Sequence, residues 1–237
     1  MKNSLEAGQR ACPLCNGLER SLLFRREVWE VVACRQCGMV FVGNNLAYET
    51  QIQDHDWIDG YRNEHERRRR EHPVLLFISS LTRRLKPELV DRLFAQTLRW
   101  RKEGKLLDFG CGHGSFLEKA AASFDVMGVE ISPRLAEMAR KRMPTTKILE
   151  GPVTEVSLPA MAFDVVTQFG YLEHEWQPLA ALRAAHRALR PGGVTVLNVP
   201  NYASWNRRIM GTNWCGYHLP DHCNYFTPGT LRTMLEK

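Results

Sequence analysis

The feature that most constrains this chain is a strand that runs into glycines and then into a helix, Leu106-Leu107-Asp108-Phe109-Gly110-Cys111-Gly112-His113-Gly114. It heads an alternation of apolar runs with helical stretches. The strand-like runs are Lys105 to Phe109, Asp125 to Glu130, Thr146 to Glu150, Phe163 to Gln168 and Val194 to Val199. Between them lie helical patterns at Ser115 to Ala122, Pro133 to Met143 and Pro178 to Leu189, the last stopped by Leu189-Arg190-Pro191-Gly192-Gly193. Strands joined through helices predict an α/β fold, a doubly wound and mostly parallel sheet. Such sheets hold ligands at the carboxyl ends of their strands.

The glycine loop has its own chemistry. Its spacing is G-x-G-x-G, and Asp108 stands two residues before the first glycine. A pyrophosphate would be repelled by that carboxylate, whereas a cationic amino group would be attracted. A second acid, Glu130, ends the next strand 22 residues later. There it can accept both hydroxyls of a ribose.

The N-terminal part carries two C-x2-C pairs, Cys12/Cys15 and Cys34/Cys37, separated by 18 residues. Gly17 and Gly38 follow the pairs. The spacing matches a structural four-thiolate zinc site, a zinc ribbon over 10–43. Four thiolates leave no open coordination position, so the metal would brace a small lobe. A redox pair is the runner-up, disfavoured because there are two pairs and no βαβ context around them.

Residues 44–104 read as a helical linker, with helices near Tyr61 to Glu71, Val74 to Leu85 and Pro87 to Lys102. Residues 105–237 form the core. Arg67-Arg68-Arg69-Arg70, flanked by Glu64, Glu66 and Glu71, reads as a solvated face or a phosphate-binding patch. Hydrophobic residues are 44% of the chain and net charge is +6, which excludes wholesale disorder and permits a phosphorylated substrate or RNA as partner. The apolar run Val74 to Ile78 is too short to span a bilayer, and no signal-like segment precedes Pro13, so a cytoplasmic address is expected.

With these landmarks assembled, residues 105–237 resemble class I S-adenosylmethionine-dependent methyltransferases. The residues that carry the resemblance are the glycine loop, Glu130, Phe163-Asp164-Val165-Val166, Leu172-Glu173-His174 and Leu189 to Gly193. The cysteine lobe, and Asn198-Val199-Pro200-Asn201 with Trp214, Pro220, His222 and Phe226-Thr227, are similar to a bacterial subgroup that includes ubiquinone- and sugar-modifying enzymes. The resemblance implies S-adenosylmethionine as cofactor beside the structural zinc. Asp108, Gly110 and Gly112 would line its methionine end, with Cys111 and His113 beside them. Glu130 would hold the ribose and Ile131 would pack on adenine. Pro152 and Val153 would approach the adenine edge, where backbone groups replace the acid found in many relatives. Gln168 and Phe169 would face the methyl group. The chain stops inside the helix starting at Pro228, short of the antiparallel strands that usually close such sheets. An exposed edge on the fifth strand is therefore expected, and with it self-association or lowered stability.

Deprotonating an oxygen or carbon acceptor calls for a base, and histidine suits neutral pH. His174 follows the fourth strand, while His218 and His222 lie with Tyr217 and Asp221 in the segment after the fifth. These are the candidates for acceptor positioning or proton removal. Cys215 and Cys223 read as packed thiols, and a second metal with His218 or His222 is a minor alternative. An Asn/Asp-Pro-Pro-Tyr/Phe tetrapeptide is lacking, since Gln168-Phe169-Gly170-Tyr171 stands in its place, which lowers an N-methylating role on nucleic acid. The leading expectation is methyl transfer to a small molecule or glycan precursor, with O-methylation ahead of C-methylation. Against it stand an RNA methyltransferase docking through its ribbon, and a cofactor-binding scaffold without turnover.

Overall fold

The computed structural model describes residues 9–44 and 88–237. The expected helices at 61–71 and 74–85, the start of the third at Pro87 and the Arg67 to Arg70 run lie outside the described residues.

A five-stranded sheet forms the centre of the fold. Its strands are β4 (Gly104–Phe109), β5 (Phe124–Glu130), β6 (Lys147–Glu150), β7 (Phe163–Phe169) and β8 (Leu189–Asn198), in the order β6-β5-β4-β7-β8. Every neighbouring pair is parallel. Consecutive residues of β4 point to opposite faces. Leu106 packs with Phe116, Leu117, Val126 and Ala139, while Leu107 packs with Phe109, Met127, Val166 and Ala184. Helices α1 (Leu89–Trp100), α2 (Ser115–Ala120) and α3 (Pro133–Arg142) cover the first face, and α4 (Pro178–Ala188) the second. In α4 the buried positions Ala181, Ala184, Ala185 and Ala188 are small enough to bring the helix close to the sheet. Ser132 caps α3 by accepting from the Leu135 N–H, with Pro133 in the first turn.

Two of the sequence landmarks are structural staples. Asp164 accepts from the Lys105 N–H at 2.9 Å and pairs with Arg190, joining β7 to the starts of β4 and β8. The fifth strand begins at Leu189 instead of Val194. Leu189 pairs with Phe163 and Val194 with Val165, so Arg190 to Gly193 bulge out of the ladder instead of ending before it. β8 takes the sheet edge, and among the described residues no strand pairs with its outer side.

A second, antiparallel sheet has the order β1-β2-β3-β9, from β1 (Arg20–Arg26), β2 (Trp29–Cys34), β3 (Val40–Val42) and β9 (Asn224–Tyr225). The cysteine lobe thus completes its sheet with two residues from the far end of the chain, Val40 opposite Tyr225 and Phe41 opposite Asn224. Trp29, Val31, Val40 and Val42 share a core with Tyr202, Trp214, Tyr217 and Tyr225. The segment between β8 and α6 (Pro228–Leu235), which holds α5 (Trp205–Met210), therefore packs onto the lobe. Among the described residues no helix is long and apolar enough to cross a membrane.

Arg10 stands at the junction and is 7% exposed. Its guanidinium donates to the Cys223 carbonyl at 3.0 Å, the Trp176 carbonyl at 2.9 Å and Asn224 Oδ1 at 3.0 Å. It also lies over the Trp176 ring at 4.3 Å. Truncation would leave two buried acceptors and one half-buried acceptor without their donor. Arg10→Ala is expected to cost about 3 kcal/mol, read as a lowered denaturant midpoint; an unchanged midpoint would show the junction to be dispensable.

Candidate functional site

The carboxyl ends of β4, β5 and β7 open into a cleft of about 230 Å³. Its walls are the glycine loop (Gly110, Gly112), Val129 to Ile131, Leu135, Gly151 to Val153 and the segment after β7 (Gly170, Tyr171, His174, Glu175, Trp176). This is where a parallel sheet of this kind is expected to take its ligand.

The glycine loop is held from β5. The Gly110 and Cys111 N–H groups both donate to the Val129 carbonyl, at 2.9 and 3.0 Å. Gly110 has φ +70°, and a Cβ there would lie 2.8 Å from the Tyr171 ring, so the position requires glycine twice over. Glu130 is 5% exposed and clamped: the Gly112 N–H donates to Oε2 at 2.8 Å and the Ser132 N–H to Oε1 at 2.9 Å. Burial pushes its carboxyl upward, and those backbone donors oppose the shift. Its two oxygens together keep acceptor capacity for a ligand hydroxyl.

Asp108 is 3% exposed and accepts from the Thr167 hydroxyl at 2.7 Å. Burial pushes its carboxyl up to about 7, against the Thr167 hydrogen bond, and the Glu130 charge adds to the rise. It lies behind the wall and not on it.

Of the residues expected at the cofactor, Gly110, Gly112, Glu130, Ile131, Pro152 and Val153 line the cleft. The others do not. Cys111 is buried, His113 is exposed, and Gln168 is wholly buried with its amide donating to Thr195 Oγ1 at 3.2 Å. Phe169 packs edge-on against Phe116 at 4.9 Å. Neither Gln168 nor Phe169, expected to face a methyl group, is among the residues that line the cleft. The pleat of β7 turns Gln168 toward β8, and Phe169 meets the core beside α2.

Of the four acceptor-side candidates, only His174 lines the cleft. Its Nδ1 lies 3.0 Å from the Asp221 carbonyl, and burial lowers its imidazole to about 4. His222 stands edge-on to it at 4.6 Å, with Nδ1 2.9 Å from the Gly216 carbonyl, and burial lowers it to about 3. His218 Nδ1 meets Asp221 Oδ2 at 2.9 Å. The Tyr217 hydroxyl turns away and donates to Tyr202 at 3.0 Å within the aromatic core. Tyr171, Glu175 and Trp176 were not singled out from the sequence. The Tyr171 hydroxyl donates to Glu175, whose other oxygen accepts from the Gln177 N–H at 2.8 Å. The one available signal was their position just past a strand end, where any polar or aromatic residue faces the ligand side.

The four paired cysteines converge in the N-terminal lobe. Cys12 and Cys37 sulfurs stand 3.5 Å apart, as do those of Cys15 and Cys34, and all four lie within 4.8 Å of one another. Four sulfurs about 2.3 Å from one ion stand about 3.8 Å apart, so the set fits a tetrahedral thiolate site. Burial opposes ionisation of Cys34, but backbone N–H groups of Cys37 and Gln36 outweigh it and bring the thiol to about 7.

Comparison with known proteins bears on this geometry. A family model described as a methyltransferase domain matches residues 77–237. A ubiquinone biosynthesis O-methyltransferase of Cereibacter sphaeroides is 31% identical over 144 residues, 56% of this chain and 58% of that protein. The match thus spans little more than half the length of that curated relative. Among solved structures, a SAM-dependent methyltransferase of Thermotoga maritima, described as a possible histamine N-methyltransferase, aligns with TM-score 0.50 and 25% identity over 68% of this chain and 76% of that one. A SAM-dependent methyltransferase of Archaeoglobus fulgidus shares the fold, with TM-score 0.53 and 24% identity over 62% of this chain and 66% of that one.

The buried Asp108 yields a test of the ligand-free protein. Its folded carboxyl titrates near 7 and its unfolded one near 4. Between those values the folded state holds a proton that the unfolded state has lost, so stability falls as pH rises from about 4 to about 7. Asp108→Asn is expected to remove a decline on the order of 3 kcal/mol, followed by urea unfolding across that range. An unaltered slope in the variant would refute the assignment.

Proposed function

The chain belongs to the methyltransferase-domain family of S-adenosylmethionine-dependent enzymes, and from that premise we propose that it transfers a methyl group to a small-molecule or glycan-precursor acceptor. Oxygen is the favoured target and carbon the next. The observation that carries the reading is the clamped Glu130 at the end of β5, presented to the cleft beside the glycine loop. The Cereibacter relative, named for O-methylation in ubiquinone biosynthesis, supports oxygen.

S-adenosylmethionine supplies an electrophilic methyl carbon, and the work of this chain is to hold it and present the acceptor. In this reading Glu130 accepts from the ribose hydroxyls, Ile131 and Val153 flank the adenine, and Gly110 and Gly112 allow close backbone approach. Asp108, behind the loop, supplies a carboxylate charge for the ammonium end. Tyr171, Glu175 and Trp176 close the opposite wall, and His174 orients the acceptor as a neutral imidazole. Cys12, Cys15, Cys34 and Cys37 hold a structural zinc. The division into a ribbon at 10–43, a linker at 44–104 and a core at 105–237 belongs to the same proposal.

Glu130→Ala is expected to weaken S-adenosylhomocysteine binding by about 2 kcal/mol, roughly thirtyfold, in calorimetric titration. Unchanged affinity would remove Glu130 from the ribose site. Affinity in the wild type is expected to fall about tenfold per pH unit below 7, because binding an ammonium next to Asp108 must then expel its proton. A flat profile from pH 5 to 8 would detach Asp108 from the cofactor. Cys34→Ser is expected to lose the thiolate-bound zinc, measured by metal analysis. Methyl transfer itself is tested with labelled S-adenosylmethionine against phenolic and sugar acceptors. Tight cofactor binding with no product from any acceptor class would favour a scaffold.

A further inference from the structure

Beside the cleft, Glu173, His174 and His222 bring two ring nitrogens and a carboxylate oxygen within 4.8 Å of one another. From this geometry we infer that the three residues form a second metal site, one for a divalent transition ion and separate from the four-cysteine cluster.

Glu173 is 4% exposed, and its buried Oε2 has no hydrogen-bond partner among the described residues. An ionisable oxygen left so is costly unless a cation or proton meets it. Both imidazoles are oriented as metal-binding histidines are. The Nδ1 of His174 meets the Asp221 carbonyl at 3.0 Å, and that of His222 meets the Gly216 carbonyl at 2.9 Å. A carbonyl only accepts, so each Nδ1 carries the proton and Nε2 the lone pair, the tautomer that a backbone carbonyl selects in metal sites.

The ligands come from two segments that are bolted together. The Glu173 carbonyl accepts from the Cys223 and Asn224 N–H groups at 2.8 and 3.0 Å, which fixes His222 next to Glu173. Asn224 Nδ2 donates to the Leu172 and Glu175 carbonyls at 3.0 and 2.6 Å, bracketing Glu173 and His174. Three ligands about 2.1 Å from one ion stand about 3.0–3.5 Å apart, so the triangle closes with small side-chain rotations. Two imidazoles and one carboxylate suit zinc, iron(II), cobalt(II) or manganese(II) better than magnesium or calcium, which prefer oxygen.

Three protein ligands leave coordination positions open, and His174 also forms part of the cleft wall. The ion would therefore take a hydroxyl oxygen of the acceptor and lower its pKa, the proton passing to solvent water, so that the oxygen bonds the methyl carbon as S-adenosylhomocysteine leaves. This second step rests on the methyl-transfer reading; metal binding itself does not.

Cobalt(II) distinguishes the two sites. Bound to the four cysteines it gives strong near-ultraviolet thiolate charge transfer, and bound to nitrogen and oxygen it gives only weak visible bands. The metal-stripped full chain is expected to take one equivalent of each kind. Glu173→Gln and His222→Gln are each expected to weaken the second equivalent at least tenfold while keeping the first, which reports an intact fold. The variants alter different segments, so misfolding of one leaves the other as the test. A wild type that takes only the thiolate equivalent would overturn the proposal, as would a second equivalent that survives both substitutions. Titration with S-adenosylhomocysteine on the same samples separates the two readings. Cofactor binding without the second cobalt overturns the metal site alone. The second cobalt without cofactor binding upholds the metal site and overturns the methyl-transfer reading.

Discussion

A buried guanidinium holds the parts of this protein in register. Arg10 lies two residues before the first cysteine, yet its three acceptors belong to Trp176, Cys223 and Asn224. Burial lowers its pKa, a cost offset by those carbonyls and by the Trp176 ring. Asn224 extends the network by donating to Leu172 and Glu175. One polar knot thus joins the cysteine lobe, the segment behind β8 and the loop after β7. That loop supplies Tyr171, His174, Glu175 and Trp176 to the cleft. The lobe is consequently part of what shapes the cleft, through Arg10 and the ring it covers.

The opposite wall centres on the glycine loop, held by one backbone carbonyl and one carboxylate. The glycine loop hangs from the Val129 carbonyl and from Glu130, so the residue proposed to meet the ribose also fixes the loop beside it. Coupling the two through one carboxylate makes the wall rigid before any ligand arrives, which lowers the ordering cost of binding. Asp108 works against stability in the ligand-free state, since its charge is buried with one hydroxyl donor. A cationic ligand group would relieve that penalty, and such a conflict between stability and charge is characteristic of a functional position.

The sheet and the loop at its ligand end were legible because each rests on patterns a few residues long. Apolar runs mark strands, prolines and small residues open helices, and glycines mark the turn. The boundary of β8 was not legible, because Pro191-Gly192-Gly193 reads locally as a stop while the Asp164–Arg190 pair draws the segment before it into the ladder. Gln168 and Phe169 mark the same limit. Their position at a strand end was evident, but which way each faces depends on the pleat and on what packs alongside.

Short stretches of the chain were enough to specify a parallel α/β sheet carrying a glycine loop with two acids, and four cysteines spaced for one metal. Local backbone geometry and the chemistry of short spacings suffice for those conclusions. Long-range packing brought Tyr225 into the lobe's sheet, carried Arg10 to Asn224 across 214 residues and stood His222 against Glu173 and His174. Those meetings are set by the joint packing of many elements. The free energy of each depends on all the surfaces buried with it, so no window of the chain contains the information.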